Sequence, residues 1–196
     1  MKRCVALTVL TVLACTGVLL TLARAAEDLT VGIQLFDNGR LAEARQFYES
    51  FVKEHPDDPA GVFYLGRIAF AEEHYKEAVA WFEEAVRLTD ENSDYHLWLG
   101  RAYGHQAEQA SVLQQPLLAR KVKEHFEKAV ALNPENIAAR SDLMEYYLRA
   151  PRILGGSREK AREQAEEIAK RERPQEHSGN EQGRSNTDTA SSQRTR

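Results

Sequence analysis

The residues of this 196-residue chain best suited to catalysis or metal binding are its six histidines. They stand at positions 55, 74, 96, 105, 125 and 177. No pair has the His-Glu-x-x-His spacing that places two zinc ligands on one face of a helix. His96 and His105 are nine residues apart, about 13 Å along a helix, which is too far for both to bind one metal ion. The histidines are therefore predicted to occupy surface or groove positions, and no metal site is predicted.

The chain also lacks the motifs of nucleophilic and nucleotide-dependent enzymes. No serine lies in a Gly-x-Ser-x-Gly turn, and there is no phosphate-binding loop or dinucleotide fingerprint. Neighbouring carboxylates such as Glu83-Glu84 point in different directions on a helix, so they are expected to form a solvated face and not an acid–base pair. The sequence therefore predicts a protein that is not an enzyme and needs no cofactor.

The composition is that of an ordinary folded protein, with 42% hydrophobic and 29% charged residues. It excludes collagen, a wholly disordered chain and a multi-span membrane protein. Lys and Arg number 26 against 30 Asp and Glu, a formal net charge of −4. This mild acidity argues against a dedicated nucleic-acid-binding protein, which carries a basic patch.

The first 25 residues have the pattern of an export signal. Two cations precede an uncharged, mostly apolar stretch over residues 4–23, and alanines at 23 and 25 provide the small residues of a cleavage site. We therefore predict a signal peptide over 1–25 and an exported, periplasmic or secreted protein. The stretch is almost long enough to span a bilayer, so an uncleaved N-terminal anchor is the alternative. Lipid attachment at Cys15 is a weaker third interpretation.

A repeat of 34 residues organises the rest of the chain. Glycines occur at positions 32, 66 and 100, alanines at 44 and 78, and aromatic residues at 48 and 82. The next interval is 44 residues, and it relates Phe82 to Phe126, Leu99 to Leu143 and Tyr103 to Tyr147. One period with a ten-residue insertion accounts for both intervals. Apolar residues at helical spacing, interrupted by turn residues, predict that each unit is a helical hairpin.

These residues resemble the tetratricopeptide repeat family. The motif is carried by Leu65, Gly66, Ala69, Tyr75, Ala78, Phe82 and Ala85, with Pro56 and Pro134 in the place of the closing proline. The resemblance covers about residues 26–172 and is to exported members of bacterial type. It implies an all-α, right-handed superhelical solenoid of antiparallel helical hairpins, with about 3.5–4 units.

We assign four units, at 25–58, 59–92, 93–136 and 137–172. Their helices are predicted near 26–38, 41–54, 59–72, 75–88, 93–112, from a break at Pro116 to 132, 137–149 and 158–172. Val122 and Met144 stand where small residues are expected, so these two joints should pack less tightly. The insertion at 110–120 should extend both helices of unit three and either protrude as a contact surface or pack on unit four.

Residues 173–196 form a third type of segment. From position 174 onward they include no aromatic residue and no aliphatic residue larger than alanine. Such a segment buries too little apolar surface to offset its loss of conformational entropy. It is predicted to be a disordered polar tail.

The family resemblance also implies a binding site. In this family the first helix of each hairpin lines a concave groove that holds a peptide. By position, the groove residues here are Phe63, Arg67, Phe70, Leu97, Arg101, His105, Glu145 and Arg149. Arg67 and Arg101 should be neighbours and suit a segment bearing a carboxylate and an apolar side chain. Alternatively, they only pair with nearby acids such as Glu72 or Glu108.

A second candidate site is the sequence Gly155-Gly156-Ser157, which leads into the last predicted helix. Exposed amides at a helix start can bind an anion. The competing interpretation is a tight turn followed by an ordinary serine cap.

Together these features predict a non-enzymatic scaffold or adaptor of the cell envelope that binds a peptide or protein partner and no nucleic acid. The alternative is a structural subunit that acts by self-association or by membrane tethering through an uncleaved N-terminal helix. An enzymatic role would require a polar pocket around His105.

Overall fold

The computed structural model describes residues 29–172, which are all-helical and without strands. The predicted signal or anchor at 1–25 and the predicted tail at 173–196 lie outside the described residues. We name the helices α1 (29–37), α2 (Leu41–Glu54), α3 (Pro59–Ala71), α4 (Tyr75–Leu88), α5 (Ser93–Gln109), α6 (Gln115–Leu132), α7 (Ile137–Arg149) and α8 (Arg158–Glu172). Successive pairs form four antiparallel hairpins, which confirms the predicted all-α solenoid. No helix within 29–172 is both long and apolar enough to cross a bilayer.

Local sequence signals start the first helix of three hairpins. The Asp58 carboxylate accepts from the Ala60 amide at 2.8 Å, and Pro59 occupies the first helical position. Asn92 caps α5 and Asn136 caps α7 in the same way, with amide-to-oxygen distances of 2.9 and 3.0 Å. Each cap satisfies an amide that has no partner inside its helix, which fixes the register at which the hairpin begins.

The insertion lengthens unit three as predicted, but its helix ends differ from the prediction. Helix α5 stops at Gln109 and not near residue 112, and Pro116 lies in the first turn of α6 and not in a break. Proline is tolerated there because a first-turn amide has no partner inside the helix. The turn between the helices is exposed from Ser111 onward, so it protrudes and does not pack on unit four.

Small residues let the two helices of a hairpin touch. A Cβ built on Gly66 would lie 2.6 Å from the Phe82 ring, and one on Gly100 would lie 2.6 Å from the Phe126 ring. Both rings are buried in one continuous core. The 34-residue glycine repeat is therefore a packing repeat. At each glycine the first helix of a hairpin leaves a space, and an aromatic ring of the second helix fills it.

A tyrosine–glutamate contact joins successive hairpins. The Tyr103 hydroxyl on α5 donates to Glu83 on α4, and the Tyr147 hydroxyl on α7 donates to Glu127 on α6 at 2.7 Å. Burial, followed by the adjacent carboxylate, raises the pKa of both tyrosines, so both remain donors at neutral pH. The two contacts are 44 residues apart in sequence, as the repeat requires.

The antiparallel hairpins divide the ends of the helices between two edges of the solenoid. The turns inside hairpins, at 38–40, 72–74, 110–114 and 150–157, lie at one edge, here called the turn edge. The turns between hairpins and the start of α1 lie at the opposite edge. At the turn edge Gly39 and Glu73, 34 residues apart, share a left-handed backbone with φ of 72° and 61°.

The last helix forms a polar end to the stack. Helix α8 carries few apolar residues, of which Ala161 is buried and Ile168 is half-buried, whereas Ala165 and Ala169 are exposed. Helix α8 is held instead by the buried Arg140 of α7, whose Nη1 donates to Gln164 at 2.8 Å. Polar contacts thus replace part of the apolar contact expected at this end.

Candidate binding groove

A groove of about 710 Å³ opens between α5 and α7 on the concave side of the solenoid. Its floor is apolar and includes Ala119, Val122 and Phe126 of α6. Its rim carries charged side chains, namely Arg101, His105, Glu108, Asp142, Glu145 and Arg149. Volume, apolar floor and a few polar groups at the mouth are typical of a ligand-binding cleft.

The groove is open because one face of α5 carries no side chain at its centre. Arg101, Gly104, His105 and Glu108 follow helical spacing and all line the groove. A Cβ placed on Gly104 would meet no atom within 4 Å. Val122, at which looser packing within unit three was predicted, is buried and lines the floor of this groove.

Arg101 connects the two walls of the groove. Its Nε donates to Asp142 Oδ2 on α7 at 2.5 Å, and its guanidinium carbon lies 4.7 Å from the centre of the Trp98 ring. Its acidic partner is therefore Asp142 and not the nearby Glu108. This pair neutralises both charges inside the groove.

Arg67 occupies the equivalent position one repeat earlier, but it has no carboxylate partner among the described residues. Its guanidinium carbon lies 3.9 Å from the Trp98 ring centre and 4.9 Å from that of Phe36, and its buried Nε makes no hydrogen bond within residues 29–172. Glu72, the acid considered for it, pairs with Arg45 at 2.5 Å instead. Burial, followed by the charge of Arg101, lowers the pKa of Arg67. Its unmet charge is held in place by aromatic rings.

These contacts form a ladder of alternating rings and cations across the concave side. It runs from Phe36 on α1 through Arg67 on α3 to Trp98 and Arg101 on α5, and it ends at Asp142 on α7. The predicted proximity of Arg67 and Arg101 is therefore found, with Trp98 between them. One helix from every hairpin contributes, so the ladder fixes the hairpins relative to one another.

Phe70 and His105 shape the end of the groove nearest the turn edge. The Phe70 ring packs 5.3 Å from Trp98 and 5.2 Å from His105. His105 stacks on Tyr75 with ring centres 4.6 Å apart, and its Nδ1 lies 3.4 Å from Glu108 Oε2. This end offers flat aromatic and imidazole surfaces to a ligand.

Glu145 and Arg149 form the outer rim on α7. Arg149 donates to the Glu145 carboxylate at 2.8 Å, and both side chains are exposed. An exposed pair of this kind contributes little to stability. Both groups are therefore free to exchange partners when a ligand arrives.

Two predicted groove residues lie in the interior instead. Phe63 is 8% exposed and packs with ring centres 4.7 Å from Tyr95 and 5.6 Å from Phe82, and Leu97 is 3% exposed. The Phe63 ring therefore packs within its own hairpin and against the next one, and neither Phe63 nor Leu97 lines the groove. The groove positions implied by the family resemblance were therefore wrong for these two residues, which were expected to be exposed there.

Further residues line the groove that the repeat pattern did not predict. Trp98, Asp142, Tyr146 and Leu154 belong to it, together with Gly104. One signal could have identified Trp98, because Tyr64 stands 34 residues earlier and forms part of the same aromatic surface with Phe36. No sequence signal pointed to Leu154, which reaches the groove from the short 3-10 helix Arg152–Leu154.

The second predicted site is a turn, and its amides are already used. The amides of Gly155, Gly156 and Ser157 donate to the carbonyl oxygens of Arg152, Pro151 and Tyr147 at 3.0, 3.1 and 2.9 Å. Gly155 has φ of 96°, and a Cβ on Gly156 would lie 1.8 Å from the Ala150 oxygen. The Ser157 hydroxyl accepts from Lys160 at 3.3 Å as a cap. These three residues form a tight turn and a cap, which corrects the proposed anion site.

The structure brings together two histidines that the sequence separates by 29 residues. His96 Nδ1 and His125 Nδ1 are 3.0 Å apart, and His96 Nε2 lies 3.1 Å from the Asp90 carbonyl oxygen. His96 is buried, which corrects its expected surface or groove position. Burial, then the neighbouring His96 and Lys121, lowers the pKa of His125 to about 4. Within residues 29–172 no group of three or more His, Asp or Glu is placed to hold a metal ion.

Comparison with protein families agrees with the hairpin repeat. The tetratricopeptide repeat model matches residues 31–95, and a model described as regulator of microtubule dynamics protein 1-3 matches residues 65–143. A comparison with curated proteins gives no match.

Solved structures share the fold at low sequence identity. A thermophilic tetratricopeptide repeat protein of Thermus thermophilus is 22% identical, with a TM-score of 0.63 over 76% of this chain and 74% of that one. MamA of Desulfovibrio magneticus RS-1 is 23% identical, with a TM-score of 0.61 over 78% of each chain. YrrB, described as a tetratricopeptide repeat protein with an unusual peptide-binding site, is 22% identical, with a TM-score of 0.57 over 74% of this chain and 67% of that one.

Proposed function

Because the chain is a tetratricopeptide repeat protein, we propose that it is a non-enzymatic adaptor that holds a segment of a partner protein in the groove between α5 and α7. The observation that carries this proposal is the open, apolar-floored groove around Gly104. The fold is one that serves as a scaffold for protein–protein interaction. The bound segment would place an apolar side chain over Val122 and Phe126 and polar groups against the rim.

The charges of the groove favour binding over proton transfer. Arg101 is paired with Asp142 and Arg149 with Glu145, so both arginines of the rim are neutralised before a ligand arrives and Glu108, beside His105, is the remaining carboxylate. Arg67 lies next to the groove on the concave side, and its guanidinium has no carboxylate partner within residues 29–172. A partner segment with one acidic residue beyond its apolar anchor would supply that partner.

We further propose that the adaptor works in the cell envelope after export. This rests on the pattern of residues 1–25, which predicts cleavage after Ala25. N-terminal sequencing of the protein from its native cells should begin at Ala26. A sequence that begins at Met1 on a membrane-bound protein would instead support the anchored alternative.

The groove is tested by filling it without disturbing the fold. Gly104→Leu places a side chain in open space, and leucine is a better helix former than glycine. Displayed random peptides selected on the wild-type chain should bind Gly104→Leu at least tenfold more weakly. Ala80→Leu, on an exposed position of α4, is the matched control and should bind them as the wild type does. Equal binding to both variants, or no selected peptide at all, would contradict the groove proposal.

The role of an acidic residue in the bound segment is tested by substituting Arg67 and Arg101. Arg67→Gln should weaken those selected peptides that contain Asp or Glu and leave uncharged ones unaffected. Arg67→Gln combined with Arg101→Gln should weaken both kinds, because Arg101 also shapes the wall. If the double variant retains every peptide at wild-type affinity, the arginines have no part in recognition.

A further inference from the structure

The turn edge carries a cluster of exposed aliphatic side chains, here called the aliphatic tip. Val112 and Leu113 in the α5–α6 turn are 79% and 92% exposed, and Leu117 at the start of α6 is 62% exposed. Ile153, in the 3-10 helix that follows α7, is 88% exposed. Exposed aliphatic residues gathered at one edge of a folded chain mark an interaction surface.

The α5–α6 part of the aliphatic tip projects beyond the neighbouring turns. Helix α5 has 17 residues and α3 has 13, so the additional turn extends unit three about 6 Å further at this edge. No charged residue occurs from Gln109 through Ala119, although 29% of the chain is charged. The part that projects furthest is therefore also the part with no charge to desolvate.

Unpaired cations flank the aliphatic tip. Arg120 lies one helical turn after Leu117, and Arg120, Arg152 and Ile153 line one shallow pocket. Neither arginine has an ion-pair partner among the described residues, whereas Lys123 in the same pocket lies 3.9 Å from Glu127. Glu124 also lines this pocket, but its single negative charge does not balance the positive charges of the two arginines.

We propose that the aliphatic tip docks on an anionic lipid bilayer, with Val112, Leu113, Leu117 and Ile153 in the interface and Arg120 and Arg152 on phosphate groups. Aliphatic side chains beside free arginines match the two components of a bilayer surface, namely acyl chains and anionic headgroups. A protein partner is less favoured, because strong protein contacts are made chiefly by Trp, Tyr and Arg, and Leu and Val are under-represented in them. The tip is convex and separate from the groove, so this function goes beyond the proposed peptide binding.

The proposal is tested with a tryptophan reporter in the full chain. Leu113→Trp is mixed with phosphatidylglycerol vesicles whose acyl chains are brominated, and its emission should shift to the blue and be quenched. The matched control is Ala131→Trp, an exposed position at the other end of α6, where the vesicles should not change the emission. The emission of the native Trp81 and Trp98 is measured in the wild-type chain and subtracted, and because residues 1–25 are the same in both variants, a difference between them reports on position 113 itself. An unquenched reporter at 113, or equal quenching at 131, overturns the proposal.

A second set of variants tests the chemistry of the contact. In the reporter background, Arg120→Gln with Arg152→Gln should weaken the apparent vesicle affinity about tenfold or more, since each arginine near an anionic surface contributes to binding. Lys53→Gln with Arg87→Gln removes two exposed cations from the opposite edge and should leave the affinity unchanged. Gly104→Leu should also leave it unchanged, which separates this result from the peptide test. If the chain is instead an oligomer that Leu113→Asp converts to a monomer and the reporter stays unquenched, the tip is a protein contact and the lipid proposal fails.

Discussion

Two glycines on helix α5 show how the same repeat builds both a core and a binding site. Gly100 receives the Phe126 ring, and one turn earlier His96 meets His125 at 3.0 Å. One turn further along the same face, Gly104 faces open space across from α7. A missing side chain thus closes the hairpin at Gly100 and opens the groove at Gly104. The difference lies in what stands opposite each glycine and not in the glycine itself.

The strongest test of this comparison is to add one methyl group at each of the two glycines. Gly100→Ala should destabilise the protein by about 1–3 kcal/mol, because the new Cβ would overlap a buried aromatic ring. Gly104→Ala should stabilise it by about 0.5–1 kcal/mol, because alanine replaces glycine inside a helix and meets nothing. Urea unfolding measures the change in the free energy of unfolding, and its sign, for both variants. Equal changes would show that α5 is not packed differently around the two glycines.

The histidine pair between α5 and α6 makes the stability of the fold depend on pH. The pKa of His125 falls from an ordinary 6.5 to about 4 in the folded chain, so the unfolded chain takes up the proton first. This contribution to stability is complete above pH 6.5 and is lost as the pH falls toward 4. Between pH 6.5 and 5 the loss should be up to about 2 kcal/mol.

His125→Phe should remove this slope, measured as the free energy of unfolding against pH over that interval. His105→Gln, on the groove side, is the control and should retain it. The surrounding ionisable groups His96, Lys121, Glu83 and Asp90 are unchanged in both variants. A slope that survives in His125→Phe would assign the pH dependence to other groups.

The smallest expected effect compares the two arginines at equivalent positions. Arg101→Met leaves the half-buried Asp142 without its partner and should cost about 1–2 kcal/mol. Arg67→Met removes a buried guanidinium that has no acid to lose, so its effect should stay within about 0.5 kcal/mol. Thermal unfolding of both single variants at one pH is sufficient. A larger loss from Arg67→Met would mean that its ring contacts stabilise the ladder more than the ion pair does.

Much of the fold could be predicted because its signals are local. The 34-residue spacing of Gly66 and Gly100, the apolar residues at helical intervals and the turn residues between them specify hairpins without reference to the rest of the chain. The helix bounds follow from the same signals, since caps such as Asp58 and Asn92 act within three residues. The end of α5 was less predictable, because the insertion mixes polar and apolar residues without a clear signal for the end of a helix.

The groove could be predicted only in part. Five of the eight expected side chains line it, namely Phe70, Arg101, His105, Glu145 and Arg149. Phe63 and Leu97 are buried and do not line it. Arg67 lies on the concave side next to Trp98 and does not line the groove itself.

The sequence by itself determined that this protein is a stack of helical hairpins, because helix periodicity, capping and close helix contact depend on residues a few positions apart. Only the tertiary structure decided which side chains meet across hairpins. It joined Arg101 to Asp142 over 41 residues, placed His96 against His125, and used the amides at Gly155 and Gly156 inside a turn. The physical reason is that such contacts depend on the angle and spacing between packed helices, which no local pattern encodes.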